Sequence, residues 1–270
     1  MSDFLSSTPS VSNEIDAASS AHTSPLGYVL TKKSAYLIIR KKKGVMKDDM
    51  PILGRGFQLH IPDGFLDPKA WITTTAVGAA AVAYSLNKTK LAVSSSKQVP
   101  MVALIGSFVF AAQMINFPIA GATSGHFLGG ALTSILFGPW IGTIVMAAVL
   151  IIQALVFQDG GITVLGANIL CTGFIGCFVG YGVYKAGMKI FRGKGRIFIT
   201  FIASWLSIVA ASAGVALLLA WSGTFELGLA LKAMVGWHML IGIGEGLITT
   251  LVTGYLLERS KVQVKGAALQ

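Results

Sequence analysis

Charge is what this chain has least of. Asp, Glu, Lys and Arg make up 12% of its 270 residues, against about a quarter in soluble domains. Hydrophobic residues reach 54% and the mean hydropathy is +0.72. Such a chain cannot clothe itself for water, which excludes an ordinary soluble fold and leaves an all-α membrane protein. Acidic residues are scarcer than basic ones, 11 against 21, for a net charge of +10. In so apolar a chain, surplus cations mark cytoplasmic loops, and no nucleic-acid partner is expected. Cysteine is nearly absent. Cys171 and Cys177 share one apolar segment at a spacing that fits no zinc motif, so they read as small packing residues. The sequence also lacks a GxxxxGK[ST] loop, an HExxH helix and a credible serine or cysteine catalytic set. No catalytic residue is assigned, and any ATPase activity is expected on a separate chain.

What is present falls into two blocks. Residues 1–58 are Ser-rich and then basic, without a secretory h-region or a stretch of the ~20 apolar residues that spans a bilayer. This extension is expected to be disordered or absent from the mature protein. Residues 59–270 hold seven apolar segments, near 70–86, 100–117, 124–138, 139–157, 164–188, 197–220 and 235–257. The pattern predicts a bundle of about seven transmembrane helices. Gly138-Pro139 divides the third segment from the fourth, so a hairpin is expected there.

The loop charges orient the bundle. Lys88, Lys90, Lys97, Lys185, Lys189, Arg192, Lys194, Arg196, Arg259, Lys261 and Lys265 fall on one side, and Lys69 and Lys232 on the other. The cation-rich side is cytoplasmic, which puts the C-terminus inside and HIPDG, residues 60–64, outside. Lys32, Lys33, Arg40, Lys41, Lys42, Lys43, Lys47 and Arg55 would then lie on the wrong side, a second reason to expect the first block to be removed or not translated.

Polar groups within spans mark function by default. They are Gln113, Asn116, His126, Gln153, Asn168, His238 and Glu245, with His60 just ahead of the first span. Pro62 and Asp63-Gly64 turn the chain after His60 and could carry it back towards His126. Spacing alone leaves open two unrelated interfacial histidines. An X-His start offers more, because a free amine, the His amide nitrogen and its imidazole can chelate one ion and a second imidazole completes a square of four nitrogens. That geometry suits Ni2+ or Cu2+, and can accept Co2+, but not Mg2+ or Ca2+. It requires Leu59 to be the mature N-terminus. His238 and Glu245 lie two turns apart on one helix face, as a supporting pair, a metal path or a helix-helix polar contact. Gln153 and Asn168 read as interhelical glue. Small residues line two faces, Ala76/Ala80/Tyr84 with Ala79 and Ala83 beside them, and Gly173/Gly176/Gly180. Packing within the bundle is the expected reading, and a smooth docking face for a partner subunit is the other.

Three stretches, HIPDGFLDP, ATSGHFLGG and HMLIGIGEGLIT, together resemble the CbiM/NikM family, the substrate-binding S components of energy-coupling-factor (ECF) transporters for cobalt and nickel. The resemblance covers residues 59–270. It implies a metal site formed by the Leu59 amine, the His60 backbone nitrogen and imidazole, and His126, in an extracellular N-terminal loop. Gln113, Asn116, His238 and Glu245 take supporting roles, as second shell or path. It further implies a transported Co2+ or Ni2+ rather than a permanent cofactor, and a link to cobalamin biosynthesis or nickel supply. The implied partners are a transmembrane T component (CbiQ/NikQ-like), a cytoplasmic ATPase (CbiO/NikO-like) and a small accessory membrane subunit (CbiN/NikN-like). Two alternatives stand beside it: a stand-alone secondary-active divalent metal transporter, and a membrane-embedded enzyme using His126, His238 and Glu245.

Overall fold

The structure is a computed structural model that describes residues 60–89, 98–115, 117–119, 123–191 and 195–267. Leu59, Asn116 and the expected extension 1–58 lie outside the described residues. The described part is helical apart from one short ribbon. Helix α1 spans Pro68–Thr89 and α2 spans Gln98–Met114. Strands β1 (Phe117–Ile119) and β2 (Thr123–Gly125) pair antiparallel, a hairpin that the apolar pattern did not announce. Helix α3 is Gly130–Phe137, α4 is Pro139–Phe157, α5 is Leu165–Ile190, α6 is Gly195–Trp221 and α7 is Leu227–Ala267.

Each apolar segment read from the sequence contains a helix, although the third, 124–138, begins as strand and loop and is helical only over Gly130–Phe137, and the helices are unequal. Among the described residues, α4, α5, α6 and the Leu227–Leu256 part of α7 are long and apolar enough to cross a membrane. Helix α2 has 17 residues. Helix α3 has eight, roughly 12 Å at 1.5 Å per residue, and is too short to cross a ~30 Å hydrocarbon core alone. The chain breaks between α3 and α4 at Gly138, whose φ of 86° is closed to most side chains, and Pro139 then starts α4 where a missing N–H costs nothing. The predicted hairpin is therefore present, with one short arm. The protein is a multi-pass membrane protein.

The core runs through the middle of the bundle, with Leu128, Leu132, Met146, Cys171, Cys177, Ile208, Val215 and Met234 among its buried residues. Both cysteines are buried and unpaired, as small packing residues should be. The two small-residue faces part company here. Gly173, Gly176 and Gly180 are buried, and a Cβ on Gly180 would crowd Ala131 at 2.9 Å. Ala76, Ala79, Ala80 and Ala83 are exposed on α1, so packing within the bundle does not explain them.

Two loops flank the segment ahead of α1, one of them buried and the other partly exposed. Residues 126–129 join the ribbon to α3, and residues 158–164 join α4 to α5. The last turn of α4, Gln153–Phe157, is wound as a π-helix. Such local widening often accompanies functional positions. Between these loops lies the segment that precedes α1.

Candidate functional site

The segment His60–Asp67 has no regular structure, yet its apolar side is buried: Ile61, Phe65 and Leu66 all join the core. Buried irregular backbone needs partners for its polar groups, and three elements supply them. Asn168, at the start of α5, accepts from Ile61 N at 2.8 Å and donates to Ile61 O at 3.0 Å. Gly161 N also donates to Ile61 O, at 2.9 Å. Asn168 is thus not the interhelical glue that its place in a span suggested. It fastens the pre-α1 segment.

Asp63 makes the reciprocal clamp. Its carboxylate accepts from Ile162 N at 3.1 Å, Thr163 N at 2.8 Å and the Thr163 hydroxyl at 2.5 Å. Burial works against the ionised carboxyl, but these donors outweigh it and hold the group below its usual range. The close approach requires Gly161, where a Cβ would overlap the backbone of Asp63. Farther along, Asp67 N donates to the Ser222 hydroxyl, and Thr224 donates to Phe65 O, tying the segment to the α6–α7 turn.

This docking brings His60 against His126. Their ring centroids are 4.4 Å apart with planes tilted by 47°. His60 is 1% exposed and His126 2%. The loop geometry expected of Pro62 and Asp63-Gly64 is therefore present. His126 Nδ1 lies 2.8 Å from Phe127 O. A carbonyl can only accept, so Nδ1 donates and the neutral ring keeps its lone pair on Nε2. That Nε2 is buried without a partner. A histidine whose other nitrogen is pinned by a backbone carbonyl is the usual arrangement of a metal-ligating imidazole. In His60 both ring nitrogens lack hydrogen-bond partners, and Nδ1 lies 3.5 Å from Asp159 Oδ1.

The loop that carries His126 is gripped from both sides. Glu245 on α7 accepts from Leu128 N at 2.7 Å and Gly129 N at 2.9 Å. Gln113 on α2 donates Nε2 to Leu128 O. Both polar groups of Leu128 are thereby held, and the non-helical approach to α3 is satisfied inside the bundle. His238, one helical stretch before Glu245, donates Nδ1 to Met234 O at 2.6 Å and leaves a buried Nε2 without a partner. Of the supporting residues expected from the sequence, Gln113 and Glu245 touch the His126 loop, His238 does so through no hydrogen bond, and Asn116 lies outside the described residues. Gln153, expected to bond between helices, is fully buried with neither amide atom partnered.

Sequence reading missed the loop QDGGIT, 158–163, altogether. Its signal was available: an acid followed by two glycines, placed between two spans at the end where HIPDG lies. Among the described residues no three His, Cys, Asp or Glu side chains converge tightly enough to cage an ion by themselves. Two imidazoles are there among the described residues.

Known proteins share this architecture. A family profile described as CbiM, "Cobalt uptake substrate-specific transmembrane region", matches residues 60–262. A relative from Archaeoglobus fulgidus, described as a fused nickel transport protein NikMN, is 40% identical over 200 residues, which are 73% of this chain and 65% of the relative. This chain thus spans slightly less than two thirds of that fused protein. A cobalt transport protein CbiM of Methanococcus voltae is similar at 35% identity, over 74% of this chain and 91% of its own length. A solved structure described as a truncated transition metal transporter superposes with a TM-score of 0.69 at 33% identity, covering 74% of this chain and 99% of that one. A match that begins at the buried His60 and runs through Glu245 takes in the docked segment, both imidazoles and the loop clamp, and the chain therefore belongs to the CbiM/NikM family of cobalt and nickel transport proteins.

Proposed function

We propose that this chain is the metal-binding transmembrane subunit, or S component, of an ATP-driven ECF-type importer for Co2+ or Ni2+. The observation that carries the reading is the pair of buried imidazoles at 4.4 Å, one with an unpartnered Nε2 fixed in its tautomer and the other without hydrogen-bond partners at either nitrogen. Unsatisfied polar atoms in an apolar interior are costly unless a ligand meets them. His60 and His126 supply imidazole nitrogen, and the His60 amide and a Leu59 amine supply the rest. Four nitrogens favour Ni2+ or Co2+ over oxygen-seeking Mg2+ and Ca2+.

The amine role requires the mature chain to begin at Leu59. Intact mass of the purified protein tests that boundary. A chain that retains residues 1–58 with undiminished metal affinity overturns the amine ligand.

His60 and the loop 158–164 face outward in this reading, and the C-terminus lies in the cytoplasm, as the loop cations favour. External metal displaces protons from amine, amide and imidazole, so binding weakens on acidification. The Glu245 and Gln113 grip couples α7 and α2 to the loop that holds His126, and a movement of α7 driven by a partner would pull that loop from His60. The partners are a T component, cytoplasmic ATPases and a small NikN- or CbiN-type subunit, which the fused names of relatives favour. The exposed alanines of α1 offer a smooth face for one of them. Isothermal titration with Co2+ and Ni2+ tests the binding role: His60→Ala and His126→Ala should each abolish uptake of heat. Transport assays with and without a co-expressed ATPase module separate the importer from a stand-alone transporter.

A further inference from the structure

Three carboxylates belong to the segments that form the site, and they are used differently. Asp63 accepts from two backbone amides and a hydroxyl. Glu245 accepts from two backbone amides. Asp159 has neither kind of partner among the described residues. It faces His60 Nδ1, with 3.5 Å between nitrogen and oxygen, longer than a good hydrogen bond. Its backbone is nonetheless fixed. Asp159 N donates to Gln153 O at 3.0 Å, and two residues on, Gly161 N donates to Ile61 O. The acid is therefore held at the His60 side of the pair, with its carboxylate facing that ring rather than a backbone donor.

A divalent ion bound by neutral imidazoles brings two positive charges into a site whose histidines are 1–2% exposed. A deprotonated amide would remove one of them. The remainder is costly to bury unless an anion lies close. Asp63 and Glu245 each have both oxygens engaged by donors. The Asp159 side chain is 20% exposed, on the water side of His60, where an arriving cation meets it early.

We propose that Asp159 is the charge-balancing residue of the ion site: its carboxylate stands beside His60 to neutralise the divalent cation rather than to hold the fold. This rests on the metal-binding reading above. Asp159→Asn keeps size and an acceptor oxygen while removing the charge, and Asp159→Glu keeps the charge. Competition titrations of the purified full chain with Co2+ and with Ni2+ separate the two. Asp159→Asn should weaken both ions at least tenfold, Asp159→Glu should stay within threefold of wild type, and the metal-free melting temperature should not move in Asp159→Asn. Wild-type affinity in Asp159→Asn, an equal loss in Asp159→Glu, or a lowered metal-free melting temperature overturns the proposal. His60→Ala and His126→Ala provide the control. If affinity depends on both histidines but not on the Asp159 charge, only this inference fails. If affinity survives loss of either histidine, the metal-binding reading fails with it.

Discussion

Two buried polar clusters lie side by side in this bundle, and they are finished to different degrees. Where α7 meets the loop before α3, Glu245 has two backbone donors and Leu128 has both its polar groups satisfied. At the outer pair, His60 and His126 present bare nitrogens to each other, with Asp159 standing off at 3.5 Å. The first cluster is nearly complete as protein, with Gln113 Oε1 its one atom left bare. The second is incomplete, and its incompleteness is confined to atoms that bind metals. A closed network rigidifies, whereas unpartnered donors held by such a network are preorganised for a ligand. On the proposed metal-binding role, the first cluster holds and the second binds.

That contrast can be broken most sharply at the histidines. His60→Ala and His126→Ala should each lower Co2+ and Ni2+ affinity by more than a hundredfold in calorimetry while leaving the metal-free fold intact, because neither imidazole Nε2 holds anything else. A residual affinity within tenfold of wild type would erase the distinction between the clusters.

Glu245→Ala probes the holding side. It leaves the Leu128 and Gly129 amides unpaired inside the bundle and should cost about 2–4 kcal/mol of stability, measured as a lowered melting temperature in detergent. Metal affinity should fall along with it. Loss of affinity with unchanged stability would move Glu245 from holding to binding.

Much of the fold was legible in the sequence, because lipid imposes long apolar runs and Gly-Pro marks their breaks. Each segment holds a helix, but only four helices among the described residues are long and apolar enough to cross a membrane, and nothing in the pattern showed that α3 would have only eight residues. The His60 and His126 pairing was legible from the turn residues and from two family motifs. The clamps were not. Asn168 reaches Ile61 across 107 residues and Asp63 reaches Thr163 across 100, and contacts between loops carry no periodicity. Asn168 was misread because it sits in an apolar run, where a neighbouring helix is the default partner. In fact its partner is an irregular segment laid into the bundle.

Smaller effects sharpen the comparison further. Asn168→Ala removes both bonds to Ile61 and should cost about 1–3 kcal/mol locally, visible as faster hydrogen exchange at Gly161, whose amide bonds to Ile61 O. On the exposed face of α1, Ala80→Leu meets no bundle neighbour and should change stability by under about 0.5 kcal/mol. ATP-driven uptake should drop if that face docks a partner, and unchanged uptake would leave the alanines without a role.

The most direct measurement is anomalous X-ray diffraction from crystals of the metal-loaded protein, collected at the cobalt or nickel edge. A single peak should lie between the two rings, about 2 Å from His126 Nε2 and within reach of a His60 nitrogen. A peak at His238 or elsewhere in the bundle, with the His60 and His126 rings still facing one another empty, would contradict the metal site.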